Sequence, residues 1–352
     1  MSGALPAGEA RISGALRILA RVRDGKVAEL RIVSPRVDPS AVFIGRTPEQ
    51  AAALASHLFS LCPMAQSIAA RAATGLPAQA NEALALLAER LAEMLRASLI
   101  DWPGEAPAPE AIAALRDGLA LLRRIGAEGG GADAAPLREA LARLGLGAAD
   151  GFCARRMAEA LADECAMKLR PCKTDVLTAA HDREVVAACW ADKAYSRAPA
   201  LPGRRMETGL AARRNVQGGL AARLAAREAD MIETAAALEA ILNGAPAPKT
   251  LETLVTRGAG FAAVDSARGR LHHACRLDAD GRIADYRIVA PTEWNFHPDG
   301  PFARMLIGGD IGEGADAKRR IERLAFVFDP CIKAEAEILD PEILDAQEVA
   351  HA

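Results

Sequence analysis

Cys62 and Cys331 each stand directly beside a proline where a helix would begin. In Phe59-Ser60-Leu61-Cys62-Pro63, Pro63 suits the first helical position, which makes Cys62 the N-cap. In Phe328-Asp329-Pro330-Cys331, Asp329 suits the N-cap and Cys331 falls in the first turn. The positive end of a helix dipole favours thiolate, the form of cysteine that binds metals. Thiolates suit iron, copper or zinc centres. The chemistry to expect from Cys62 and Cys331 is therefore metal ligation. The bland alternative is a pair of small core residues at helix starts.

Other polar clusters promise less. His272 and His273 are adjacent, and neighbours on a strand point to opposite faces. At most one can serve a given site, and the simplest reading is one surface and one core histidine. His181, Asp182 and Glu184 lack a metal-ligand spacing. There is no Walker loop, dinucleotide glycine fingerprint or nucleophile elbow. Gly218-Gly219, in a helical run, reads as a close-packing spot. Cys153, Cys165, Cys172, Cys189 and Cys275 receive no role. The cysteine count is odd and no Cys-x-x-Cys occurs, which points to reduced thiols and a cytoplasmic location.

Composition narrows the classes. Of 352 residues, 51% are hydrophobic and 25% charged, enough for a large core. The net charge is −3, basic residues are scattered, and only 4% of residues are aromatic, so neither nucleic acid nor an anionic membrane is an expected partner. No secretory signal and no membrane-spanning run is expected.

The elements that must carry the cysteines follow from periodicity. Residues 15–33 read as a hairpin around Asp24-Gly25, and 271–290 repeat the plan around Asp280-Gly281. The two hairpins are candidates for one shared small sheet. Thr47-Pro48-Glu49-Gln50 is a helix start with capping-box spacing. Helical periodicity covers 79–100, 109–125, 134–145, 152–170, 174–194 and 206–243. A proline-rich linker (102–109) and a glycine-rich one (126–133), expected to be mobile, interrupt it. The expected fold is α+β and helix-dominated, one domain over 1–352. It comprises an N-terminal hairpin region (1–46), a helical core (47–245) and a C-terminal hairpin and Asp-Pro-Cys region (250–352).

Four stretches, in order, resemble the large subunit of [NiFe]-hydrogenases over nearly the whole chain. GRTPEQAAALASHLFSLCPMAQ (45–66) resembles the segment from Gly-Arg-x-Pro into Arg-x-Cys-Gly-x-Cys-x-x-x-His. APALPGRRMETGLAAR (198–213) resembles the Met-Glu-x-Gly-x-x-Ala-Arg stretch. DSARGRLHHACRLDADGRIADYRIVAPTEWN (265–295) resembles the Arg-Gly-x-Leu-x-His hairpin and Pro-Thr-x-Trp-Asn. FDPCIKAEAE (328–337) resembles Asp-Pro-Cys-x-x-Cys-x-x-His.

The departures say which branch this is. Cys62 and Cys331 match one cysteine of each pair, while Phe59 and Ala334 stand in the other two positions. Gln66 and Glu337 replace the motif histidines, and Asp265 and Ala267 replace Glu and Pro. Arg268, Gly269 and His273 are retained. This pattern resembles the HupK/HoxV-type accessory proteins of hydrogenase maturation. The resemblance implies a non-catalytic cytoplasmic scaffold that transiently holds the Fe(CN)2(CO) moiety. Cys62 and Cys331 would ligate iron, and Arg268 would hydrogen-bond cyanide. Gln66, Asp265, Gly269 and His273 would support them from behind. The implied partners are the maturation proteins that deliver the iron and the hydrogenase large subunit, and no nickel is expected. The alternatives are a cofactor-free chaperone of hydrogenase assembly, or a divergent hydrogenase or hydrogen-sensing subunit. Against the last, a phenyl and a methyl cannot ligate metal.

Overall fold

In the Asp24-Gly25 turn both residues take positive φ, 50° and 73°, the geometry that matches the twist of a two-residue hairpin. The turn joins β1 (Leu16–Arg23) to β2 (Lys26–Val33), with Arg23 opposite Lys26. The computed structural model describes residues 14–34, 38–129, 134–246 and 253–339.

Thr47 caps α1 (Pro48–Leu58) through a complete capping box with Gln50, and α2 (Pro63–Ala73) follows with Cys62 as its N-cap. The helices α3 (Glu82–Arg96), α4 (Pro109–Glu128), α5 (Ala135–Leu144) and α6 (Phe152–Cys165) come next. The last turn of the first of these widens into a π-helical stretch, Ala97–Asp101. The proline-rich segment 102–109 is anchored rather than loose at its start. Trp102 is buried edge-on against Phe326, and its indole N–H donates to Glu159 at 2.9 Å. The glycine-rich segment is helical through Glu128, and 130–133 lie outside the described residues.

The expected helices at 174–194 and 206–243 are broken. The first contains β3 (Asp175–Val176) and only then α7 (Asp182–Ala191). The second contains β4 (Met206–Glu207), parallel to β3, then α8 (Leu210–Arg213) and α9 (Leu220–Leu242). Gly209 and Asn215 take φ of 107° and 53°, which no helix accommodates. Gly219 is a close-packing spot, since a Cβ there would lie 2.4 Å from Glu164 Oε1. Helix α9 binds two motif segments through buried ion pairs. Arg223 donates to both Glu207 carboxylate oxygens at 2.5 and 3.1 Å, and Arg227 pairs with Asp329.

The second hairpin belongs to a separate four-stranded antiparallel sheet of β5 (Val255–Gly258), β6 (Phe261–Ser266), β7 (Gly269–Leu277) and β8 (Ile283–Val289). The shared sheet expected for the two hairpins does not form. Strand β7 already has a partner on each edge, and the seven residues Gly269–Cys275 are all buried. The chain ends its described part with α10 (Pro291–Asn295), α11 (Pro301–Leu306), α12 (Gly314–Phe326) and β9 (Ala334–Leu339).

Strand β9 replaces the helix expected after Asp-Pro-Cys. Asp329 takes a φ of 54°, which turns the chain, and β9 pairs parallel with β1, Ala334 opposite Leu16. Its sequence alternates as a strand requires: Ala336 is buried, while Glu335 and Glu337 are exposed. The N-terminal hairpin thus gains its third strand from the far end of the chain. Four hydrophobic clusters result among the described residues. One lies under β1, β9 and α12, one joins α3, α4, α5 and α9, one packs α1 and α2 on the four-stranded sheet, and a smaller one gathers α7, β4 and α10 around Val185, Met206 and Trp294.

Candidate metal centre

A cavity of about 390 Å³ has Phe59, Cys62, Gln66, Arg268, Thr292 and Cys331 in its wall. These come from five places: the turn between α1 and α2, the start of α2, the β6–β7 turn, α10, and the bend before β9. The fold therefore brings Cys62 and Cys331 together although most of the chain separates them. Among the described residues no group of three or more His, Cys, Asp or Glu side chains is placed to hold a metal.

Cys62 is the N-cap residue, but its sulfur makes no capping hydrogen bond. The helix start is satisfied by Glu89 of α3, whose carboxylate accepts from the N–H groups of Met64 (2.5 Å) and Ala65 (3.0 Å). The dipole thus faces a carboxylate. Burial pushes the Cys62 thiol up to about 12, and Glu89 adds to this, against a smaller opposing pull from Arg268. The expected depressed thiol pKa is corrected: without a metal Cys62 is a neutral thiol at pH 7. Burial also raises Glu89, to about 7, despite its two backbone hydrogen bonds.

Gln66 lies one helical turn beyond Cys62, and its Nε2 donates to the sulfur at 3.7 Å. Its Oε1 is 2.8 Å from His273 Nε2, and His273 Nδ1 is 2.7 Å from the Tyr286 hydroxyl. With the Gln66 oxygen acting as acceptor, His273 carries its proton on Nε2 and accepts from Tyr286. The chain of donors runs Tyr286, His273, Gln66, Cys62. Burial, with a smaller contribution from His272, lowers His273 to about 3, so the imidazole is neutral.

Cys331 sits in no helix. Its N–H donates to the Thr292 hydroxyl, which donates to the sulfur, both at 3.2 Å. Arg268 is 5% exposed. It pairs with Glu93 and donates from Nε to the Pro330 carbonyl at 3.3 Å. Its Nη1 is a buried donor with no partner among the described residues.

Of the predicted supporting residues only Gln66 lines the cavity; His273 reaches it through Gln66, and Asp265 and Gly269 make their contacts elsewhere. Asp265 accepts from Arg270 Nη1 at 3.0 Å. Gly269 has a φ of 131°, and a Cβ there would lie 2.5 Å from Thr208 Oγ1. It fixes the approach of β7 to the Glu207 segment. His272 is not a surface residue: both histidines are buried, and His272 Nε2 meets Asp182 at 2.9 Å beside Arg270. Glu337 pairs with Arg17 at the surface, and Ala334 lies in β9. Sequence reasoning missed Glu89, Glu93 and Thr292. Only Thr292 left a signal, inside the Pro-Thr-x-Trp-Asn stretch.

The profile of the nickel-dependent hydrogenase family matches residues 207–335. Hydrogenase expression/formation protein HupK of Rhizobium leguminosarum bv. viciae is 39% identical over 330 residues, 84% of this chain and 89% of that protein. Hydrogenase expression/formation protein HoxV of Cupriavidus necator is 32% identical over 199 residues, 53% of this chain and 50% of that one. The fold is that of hydrogenase large subunits: the Ni-Fe-Se hydrogenase of Desulfovibrio vulgaris Hildenborough superposes with a TM-score of 0.56 at 19% identity, covering 88% of this chain and 94% of that one. A hydrogenase large-subunit fold that keeps two of the four motif cysteines, together with that identity to HupK, places the chain in the HupK/HoxV family of hydrogenase expression/formation proteins.

Proposed function

We propose that this protein is a non-catalytic scaffold of hydrogenase maturation. Its cargo is the Fe(CN)2(CO) moiety, held between Cys62 and Cys331 and passed on to the hydrogenase large subunit. The observation that carries this reading is a cavity lined by both thiols and by Arg268, a buried residue whose Nη1 has no partner among the described residues. A buried donor without a partner is unfavourable by about 1–3 kcal/mol, and a cyanide nitrogen would satisfy it. Two sulfurs leave iron short of ligands unless it brings its own. A cargo already carrying three diatomic ligands fits that shortage, and a catalytic nickel–iron pair needing four thiolates does not.

Each residue then has a task. Cys62 gives up its proton as the iron–sulfur bond forms, and Gln66 donates to the sulfur and keeps it oriented. Thr292 does the same for Cys331. Glu93 and the Pro330 carbonyl hold the Arg268 fork in place. The partners in this reading are the maturation proteins that deliver iron and the large subunit that receives it, all in the cytoplasm. Among the described residues no helix is long and apolar enough to cross a membrane.

Infrared spectroscopy of protein purified from cells with the maturation machinery tests the proposal. Carbonyl and cyanide bands are expected, with iron and no stoichiometric nickel in the same sample. Their absence alongside normal binding of the large subunit would favour the cofactor-free chaperone instead. Arg268→Lys is expected to weaken loading by about tenfold or more, since the loss of one charge-assisted hydrogen bond is worth about 1.5–3 kcal/mol. Unchanged band intensity in that variant would remove Arg268 from the site.

A further inference from the structure

We infer that Phe59 is a selectivity element: its ring limits the cavity to two sulfur donors and thereby excludes bare divalent ions in favour of a metal that arrives already ligated. This rests on the scaffold reading for its biological sense, but its geometry stands alone.

The Cys62 N–H donates to the Phe59 carbonyl at 3.2 Å, so Phe59-Ser60-Leu61-Cys62 is a tight turn. Such a turn holds its end Cα atoms within about 7 Å. Position 59 is therefore placed beside the Cys62 sulfur, and both side chains line the same cavity and pack against the same hydrophobic cluster. Phe59 also borders a second cavity of about 490 Å³, which shares only Ala290 and Thr292 besides it with the first. The ring is a partition as well as a filler.

The rest of the wall agrees. Beyond Cys62 and Cys331, no His, Cys, Asp or Glu lines the cysteine cavity. Arg268, although paired with Glu93, keeps an unpartnered Nη1 donor, which suits a metal bearing anionic ligands. Ala334, in β9, lines an adjoining groove of about 840 Å³ that shares Arg268 and Ile332 with the cysteine cavity. A donor at 59 would reach the site directly.

Anaerobic titration of the purified full chain with Co²⁺ tests this. Each cobalt–sulfur bond that forms replaces a cobalt-bound water and releases a thiol proton to solvent. Phe59→Cys is expected to bind at least tenfold more tightly than the unmodified protein, with thiolate-to-cobalt charge-transfer absorption that disappears when Cys62→Ser is added. Phe59→His, which keeps a ring in place, is expected to tighten binding in the same direction and covers the case of a misfolded cysteine variant. Phe59→Ala opens space without a donor and should bind like the unmodified protein. The inference is overturned if neither Phe59→Cys nor Phe59→His binds more tightly, or if Phe59→Ala gains as much. Failure of the scaffold reading would show separately, as missing carbonyl and cyanide bands in the unmodified protein.

Discussion

Cys62→Ser and Cys331→Ser are each expected to yield a folded protein that carries no carbonyl or cyanide bands and supports no hydrogenase maturation. Serine oxygen is a poor ligand for a metal that prefers sulfur. Neither change disturbs the frame. Serine is a favoured N-cap, the Cys62 sulfur caps nothing, and the hydrogen bond it accepts from Gln66 can be made to a serine oxygen instead. At 331 the Thr292 hydroxyl can donate to a serine oxygen as it does to sulfur. Circular dichroism and a thermal melt check the fold, infrared spectroscopy checks loading, and hydrogenase activity in the producing cells checks transfer. Wild-type loading in either variant would end the two-thiol assignment.

Acidification below pH 6.5 is expected to set two buried groups against each other: His273 loses stabilisation, while Glu89, raised to about 7, takes up a proton more readily in the folded chain and gains it. His273 has its pKa lowered from 6.5 to about 3, chiefly by burial, so the folded chain stays neutral where the unfolded chain takes a proton. The stabilisation is complete above pH 6.5 and drains away as pH falls towards about 3, at roughly 1.4 kcal/mol per unit. Asp182 acts lower down. Burial alone would raise it, but its hydrogen bonds to Arg270 and His272 prevail and hold it at about 2. Its contribution is present above the unfolded aspartate range and is lost as pH approaches about 2. Between pH 7 and pH 5 the His273 loss and the Glu89 gain are each about 2 kcal/mol and largely offset. His273→Gln, which can still bridge Tyr286 and Gln66, should remove the loss, so its stability in denaturant unfolding should rise by about 2 kcal/mol from pH 7 to pH 5. An unchanged pH dependence in the variant would remove His273 from this balance.

What could be read from the sequence was local. Asp24-Gly25 specifies its hairpin, Thr47 and Gln50 specify their capping box, and Pro63 makes Cys62 an N-cap. The motif order also named the cavity residues Cys62, Arg268 and Cys331. What failed was long-range. Lys333-Ala334-Glu335-Ala336-Glu337 looks polar enough for a solvated helix, and only a partner strand near the other end of the chain makes it β9. The thiolate argument for Cys62 failed because Glu89, on a different helix, already takes the helix start. His272 reads as a surface residue until Asp182 and Arg270 are placed beside it. In each case the deciding group is distant in sequence and local patterning carries no trace of it.

Strand β9 also sets a schedule. Strand β1 leaves the ribosome hundreds of residues before β9, so it waits roughly 15–60 s at ordinary synthesis rates before that edge is paired. Cys331 directly precedes β9 and takes its position from the same late event. The nascent chain can expose Cys62 early, but the pair of thiols exists only after translation has passed residue 339. In the proposed scaffold, a chain that has not yet paired β9 with β1 would offer iron a single sulfur.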